Sequence, residues 1–196
     1  MTSEEPKARP VSRRIDAQRN REKILAAARA AFADPDADVS MADIARRANI
    51  GSATLYRNFA DRRTLLEALY SEEIAAICQA AKTCDDATAG ARLHSWLRHF
   101  YGYFLNKRVL ASELLDLTGA ESPVFRERFA LVLGAADRLV QEAHRSGELR
   151  DDLDAEQILA LIASIANIPG DSVFRAPILI AALDALRTPN AAHCTG

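Results

Sequence analysis

An all-α fold of about nine helices is predicted for this 196-residue chain by three observations. Apolar residues recur at three- and four-residue spacing through most of its length. Alternation of the strand type never lasts more than a few residues. Glycines number only eight, among abundant alanine and leucine, which favours helix throughout.

The elements follow in order. Residues 1–14 hold two prolines, two acids and four bases with little to bury, and are expected to form a flexible basic arm. Asp16 can cap a first helix, in which Ile24, Leu25, Ala28, Ala31 and Phe32 fall on one face. The acidic DPDAD run at 34–38 should end it. Ser40 with Asp43 reads as a capping box for a second helix, MADIARRA, with Ile44 and Ala48 inward. Asn49 can close that helix in the left-handed conformation. Gly51-Ser52 opens a third, which ends near Phe59.

Asp61 can cap a fourth helix carrying Leu65, Leu66, Leu69, Ile74 and Ile77. After a break at Thr83 to Gly90, a fifth carries Leu93, Trp96, Leu97, Phe100 and Phe104, and RVLASELLDL reads as a short sixth. Ser122-Pro123 is a start signal for a seventh that Gly147 stops. Asp154 with Gln157 caps an eighth, ILALIASIANI, closed by Pro169-Gly170, and Pro177 is expected to begin the ninth. The predicted division is an arm at 1–14, a compact three-helix unit at 15–62, a larger helical domain at 63–190 and a disordered tail at 191–196.

Charge is distributed unevenly. Lys7 to Arg63 holds 13 Lys and Arg against seven Asp and Glu, whereas the rest of the chain holds 12 against 20. A basic front on an acidic body suits a polyanionic partner at one end. No apolar run approaches the roughly 20 residues that span a bilayer. The N-terminus has no apolar h-region, so a cytoplasmic location without a membrane partner is expected. Cys78, Cys84 and Cys194 form no CxxC pair and read as reduced packing thiols. His94, His99, His144 and His193 show no metal-ligand spacing. No nucleophile elbow or phosphate loop is present. Neither an enzyme, a metal nor a cofactor is expected.

The stretch GSATLYRNFADRRTLL, from Gly51, carries the functional signal. Two short amphipathic helices joined by Asn49-Ile50-Gly51 follow the helix-turn-helix plan, whose second helix enters the DNA major groove. Gly51, Ser52 and Ala53 allow close approach, and the free N–H groups there can meet phosphate. Thr54 and Tyr56 offer hydroxyls, while Arg57 and Asn58 can reach phosphate or base edges. Leu55 and Phe59, four apart, turn back into the core. Arg62 and Arg63 begin a helix, where cations oppose the macrodipole, so an external phosphate would explain them.

On RNREKILAAARAAFA, VSMADIARRANI and GSATLYRNFADRRTLLEALY, the span from about Asp16 to Leu69 resembles the DNA-binding domain of the TetR family of bacterial repressors. Asn49 stands where that family often has glycine, and Arg62 where it often has a phosphate-touching lysine. The resemblance implies a homodimer, one or two dimers on each double-stranded operator, and a C-terminal pocket whose ligand controls DNA affinity. Ser40, Gly51, Ser52, Ala53, Thr54, Tyr56, Arg57, Asn58 and Arg62 are then the expected DNA contacts.

Trp96, Phe100, Tyr103 and Phe104, with Phe125 and Phe129 facing them, are the candidate lining for a small apolar or amphipathic ligand. The eighth and ninth helices are apolar nearly all round, which suggests burial against a second copy as well as the chain's own core. Ile158, Ile162, Ile165, Leu179, Leu183 and Leu186 are the residues expected at that seam. Two other readings compete: a helical enzyme or adaptor that keeps the helix-turn-helix shape without operator binding, and a regulator acting through Cys78 or Cys84.

Overall fold

The computed structural model describes residues 10–33, 39–119 and 122–188. Most of the expected arm, the DPDAD run and the expected disordered tail lie outside the described residues. Those described form α1 (Pro10–Ala31), α2 (Met41–Arg47), α3 (Ser52–Asn58), α4 (Arg62–Thr83), α5 (Ala89–Thr118), α6 (Pro123–Arg145), α7 (Ala155–Asn167) and α8 (Ser172–Ala185). They fall into two compact units. One comprises the described residues through Tyr70 with Val109–Thr118, the other Ser71–Arg108 with the described residues from Gly119 onward. The first unit thus takes in the opening turns of α4, which runs unbroken from Arg62 to Thr83.

In the first unit, α1, α2, α3 and the start of α4 enclose Ile24, Leu25, Ala28, Phe32, Ile44, Leu55, Phe59, Leu65, Leu66 and Leu69, all buried. Each large side chain among these contributes about 1.5–3 kcal/mol by leaving water. Leu110 and Leu114, from the last turns of α5, are buried in the same unit. Helix α1 starts at Pro10, earlier than the arm was expected to end.

The second unit buries Ile74, Ile77, Leu93, Trp96, Leu97, Phe100, Val132, Ala135, Ala136 and Leu139. Two capping signals are realised in it. The Asp154 carboxylate accepts from the Gln157 backbone N–H at 2.8 Å, while the Gln157 side-chain Oε1 accepts from the Asp154 backbone N–H at 2.9 Å. Gly147, at φ 72°, ends α6. The end of α8 is clasped to the α6–α7 connection: Arg150 N–H donates to the Leu186 carbonyl at 3.0 Å, and the Thr188 hydroxyl donates to the Gly147 carbonyl at 2.7 Å.

Two expectations are corrected. The stretches read as fifth and sixth helices form one 30-residue helix, α5, with no proline between them to break it. Helix α8 begins at Ser172, not Pro177, because the Asp171 carboxylate caps it by accepting from the Phe174 N–H at 2.8 Å. Pro177 sits in its second turn, where it forfeits one helical hydrogen bond. Among the described residues no helix is long and apolar enough to cross a membrane.

Candidate nucleic-acid interface

The turn between α2 and α3 is built locally. Ser40 caps α2: its Oγ accepts from the Asp43 N–H at 3.1 Å and donates to the Asp43 carboxylate at 2.6 Å. The Ser40 hydroxyl and the Ser40 backbone N–H, both donating to the carboxylate, followed by the charges of Arg46 and Arg47, hold the Asp43 carboxyl below its usual range. Asn49 takes φ 54°, as the left-handed closure requires, and its N–H donates to the Arg46 carbonyl at 3.1 Å. Gly51 then caps α3 with extended backbone, and no other atom lies within 4 Å of where a Cβ would stand.

Helix α3 presents two faces. Leu55 and Phe59 are buried at 0% and 2% exposure, and the Arg21 guanidinium lies 4.6 Å over the Phe59 ring. Gly51, Ser52, Ala53, Tyr56 and Arg57 are exposed, Tyr56 by 52%, and Thr54 and Asn58 are half-buried. Arg57 donates to the Thr54 hydroxyl at 3.0 Å, which extends the guanidinium along the helix. Asn58 is less available than expected, because its amide donates to the Thr54 carbonyl at 2.8 Å.

Arg62 departs furthest from expectation. Its guanidinium is bound to the Glu113 carboxylate through Nε at 3.1 Å and Nη2 at 2.8 and 2.6 Å. It also donates to the Val39 carbonyl and lies 5.3 Å over the Phe32 ring. The cation that was to explain itself by an external phosphate has an internal counterion. Exposed Arg47 and Arg63, outside the expected contact set, remain on the surface of this unit. Arg63 carries the same macrodipole conflict that the sequence shows for Arg62, whereas only its exposure marks Arg47.

Residues 24–69 match the model of the bacterial regulatory proteins of the tetR family, and residues 88–178 match that of the C-terminal domain of SbtR-like transcriptional regulators. A solved TetR transcriptional regulator from Streptomyces coelicolor is 33% identical, covers 87% of this chain and 99% of its own, and superposes with a TM-score of 0.72. The chain belongs to the TetR family. A TetR regulator from Mycobacterium vanbaalenii is 28% identical over 89% of this chain and 99% of its own, with a TM-score of 0.68. No curated protein matches the chain. As a member of that family, the chain is a DNA-binding transcriptional regulator.

In this TetR-family chain the expected ligand residues divide. Trp96 is wholly buried and donates its indole N–H to the Ile77 carbonyl at 3.0 Å. Its ring stacks on Phe100 at 5.6 Å, Phe100 meets Phe104 edge-on at 5.0 Å, and Phe104 meets Tyr103 edge-on at 5.7 Å. Phe125 is half-buried, but Phe129 is 46% exposed, since the buried face of α6 begins only at Val132. The Tyr101 hydroxyl, not singled out from sequence, is buried without a hydrogen-bond partner among the described residues.

The six residues expected at a dimer seam are covered by the chain itself. Ile158, Ile162, Ile165, Leu179, Leu183 and Leu186 are all at most 6% exposed within a single chain. They are the inward faces of α7 and α8. The outward apolar residues of the same helices are Leu161, Val173, Phe174 and Ile180, at 38–78% exposure. Composition shows that a helix is apolar all round, but not which side meets its own core.

Among the described residues, no group of three or more His, Cys, Asp and Glu is arranged to hold a metal. Burial holds the thiols of Cys78 and Cys84 above their ordinary pKa, which disfavours a reactive thiolate at either.

Proposed function

We propose that this regulator is a repressor that binds a palindrome-like operator as a homodimer and is released by a small apolar or amphipathic molecule. The observation that carries the DNA reading is the exposed Gly51-Ser52-Ala53 and Tyr56-Arg57 face of α3, held outward by buried Leu55 and Phe59. Such a face lets backbone and hydroxyl groups reach phosphates while Arg57 reaches base edges.

Pairing is supported by Leu161, Val173, Phe174 and Ile180, which stand outward on adjoining helices and would be hidden from water by a second copy. Two recognition helices held by a two-fold axis call for two inverted half-sites about one helical turn apart. The effector is supported by the aromatic series Trp96, Phe100 and Phe104 with the tyrosines beside it. Effector and operator must then be reciprocally coupled, each weakening the other by the same factor.

Selection of sites from random duplex DNA by the purified protein tests the reading. An enriched motif with inverted half-sites is the expected result. Recovery of no preferred sequence would favour an adaptor that keeps only the shape.

A further inference from the structure

We infer that Glu113 withholds the Arg62 cation from DNA, acting as an internal stand-in for a backbone phosphate. The inference rests on the DNA-binding reading above and concerns how its charge is regulated.

Arg62 opens α4, where the unsatisfied N–H groups already concentrate positive charge. A guanidinium there is unfavourable unless an anion meets it. Glu113 supplies that anion from 51 residues away, through the paired fork geometry in which a phosphate would also engage arginine. The same guanidinium donates to the carbonyl of Val39, the residue immediately before Ser40, the cap of α2. Arg62 is thus tied to the chain next to a residue of the expected DNA surface. The pair is only partly covered, at 28% and 32% side-chain exposure, so the guanidinium can exchange partners without being dug out of a core.

Glu113 lies in the last turns of α5, which pack with the helix-turn-helix unit, and the earlier part of α5 belongs to the second unit. Any rearrangement of those last turns that draws Glu113 away adds one cation to the DNA-binding surface. Restoring it removes that cation. The device is a charge that the fold can present or withhold, with no change in the recognition helix.

Phosphate contacts are read by salt, so the test needs no operator. Binding to a fluorescein-labelled mixed-sequence duplex of about 30 base pairs is titrated at several salt concentrations, each neutralised phosphate adding about 0.9 to the slope of log K against log salt. Glu113→Gln should bind severalfold tighter at low salt, with a slope steeper by about 0.9. Arg62→Gln alone should leave the slope of the unmodified protein nearly unchanged, and the double variant should return to it. Thermal melts of all four proteins separate loss of fold from loss of contact; should Glu113→Gln unfold, Arg62→Gln still decides, since a slope shallower by about 0.9 would mean that Arg62 already touches phosphate. An unchanged slope in folded Glu113→Gln overturns the inference alone. Failure of the unmodified protein to bind the duplex at all overturns the DNA-binding reading with it.

Discussion

Asn49 shows how much one residue decides. Its φ of 54° is the only positive value among the described non-glycine residues, and it turns the chain from α2 into α3. An alanine there keeps the steric penalty without asparagine's local polar compensation. Asn49→Ala should therefore lower stability by about 1 kcal/mol, and Asn49→Gly should not, as urea unfolding of the three proteins will show. His94 is the second such residue. Burial first, then the Arg187 charge, depress its pKa, with Asp184 opposing. The unfolded chain takes up this proton near pH 6.5, the folded chain only at lower pH, so protonation favours unfolding. Stability attributable to His94 is intact above that value and declines as pH falls through it. Thermal midpoints measured downward from about pH 7 should fall less for His94→Gln than for the unmodified protein.

At the scale of the helix, α3 and α7 carry the clearest expectations. Tyr56 is 52% exposed on α3, with its hydroxyl available to a phosphate. Tyr56→Phe should weaken binding to every duplex by a similar factor, about tenfold, without altering the preferred site; a change in preference at one base pair would instead assign Tyr56 to base reading. Asp154→Ala removes the carboxylate that accepts from the Gln157 N–H, the side-chain half of the α7 capping box, and should cost about 1 kcal/mol in urea unfolding. These features were legible in sequence because they are local: Ser40 with Asp43 and Asp154 with Gln157 are each three residues apart. The start of α8 was misread because Pro177 is a stronger signal on paper than Asp171, although the cap governs the first turn. The internal partner of Arg62 was not legible, for a different reason. The macrodipole conflict of Arg62 was visible, but its solution comes from Glu113, and no periodicity links residues 51 apart. The aromatic run on α5 was legible as a cluster, yet which rings are covered depends on the elements packed against them.

For the whole molecule, assembly is the main consequence. Because the inward faces of α7 and α8 are already used, charge placed outward should break pairing without harming the protomer. Leu161→Glu or Phe174→Glu should give monomers by light scattering, with helical content retained and operator affinity largely lost. A monomer for the unmodified protein at micromolar concentration would end the dimer reading. The division into two units also has an optical side. The chain has one tryptophan, and it is wholly buried in the second unit, stacked on Phe100 and bonded to Ile77. Indole emission is therefore a native dye on that unit alone, while the helix-turn-helix unit has only tyrosine. Heating followed by emission records the loss of one unit, and far-ultraviolet dichroism records both. Separate midpoints would show two independently melting bodies, and a single midpoint would show that the shared helices α4 and α5 weld them into one cooperative transition.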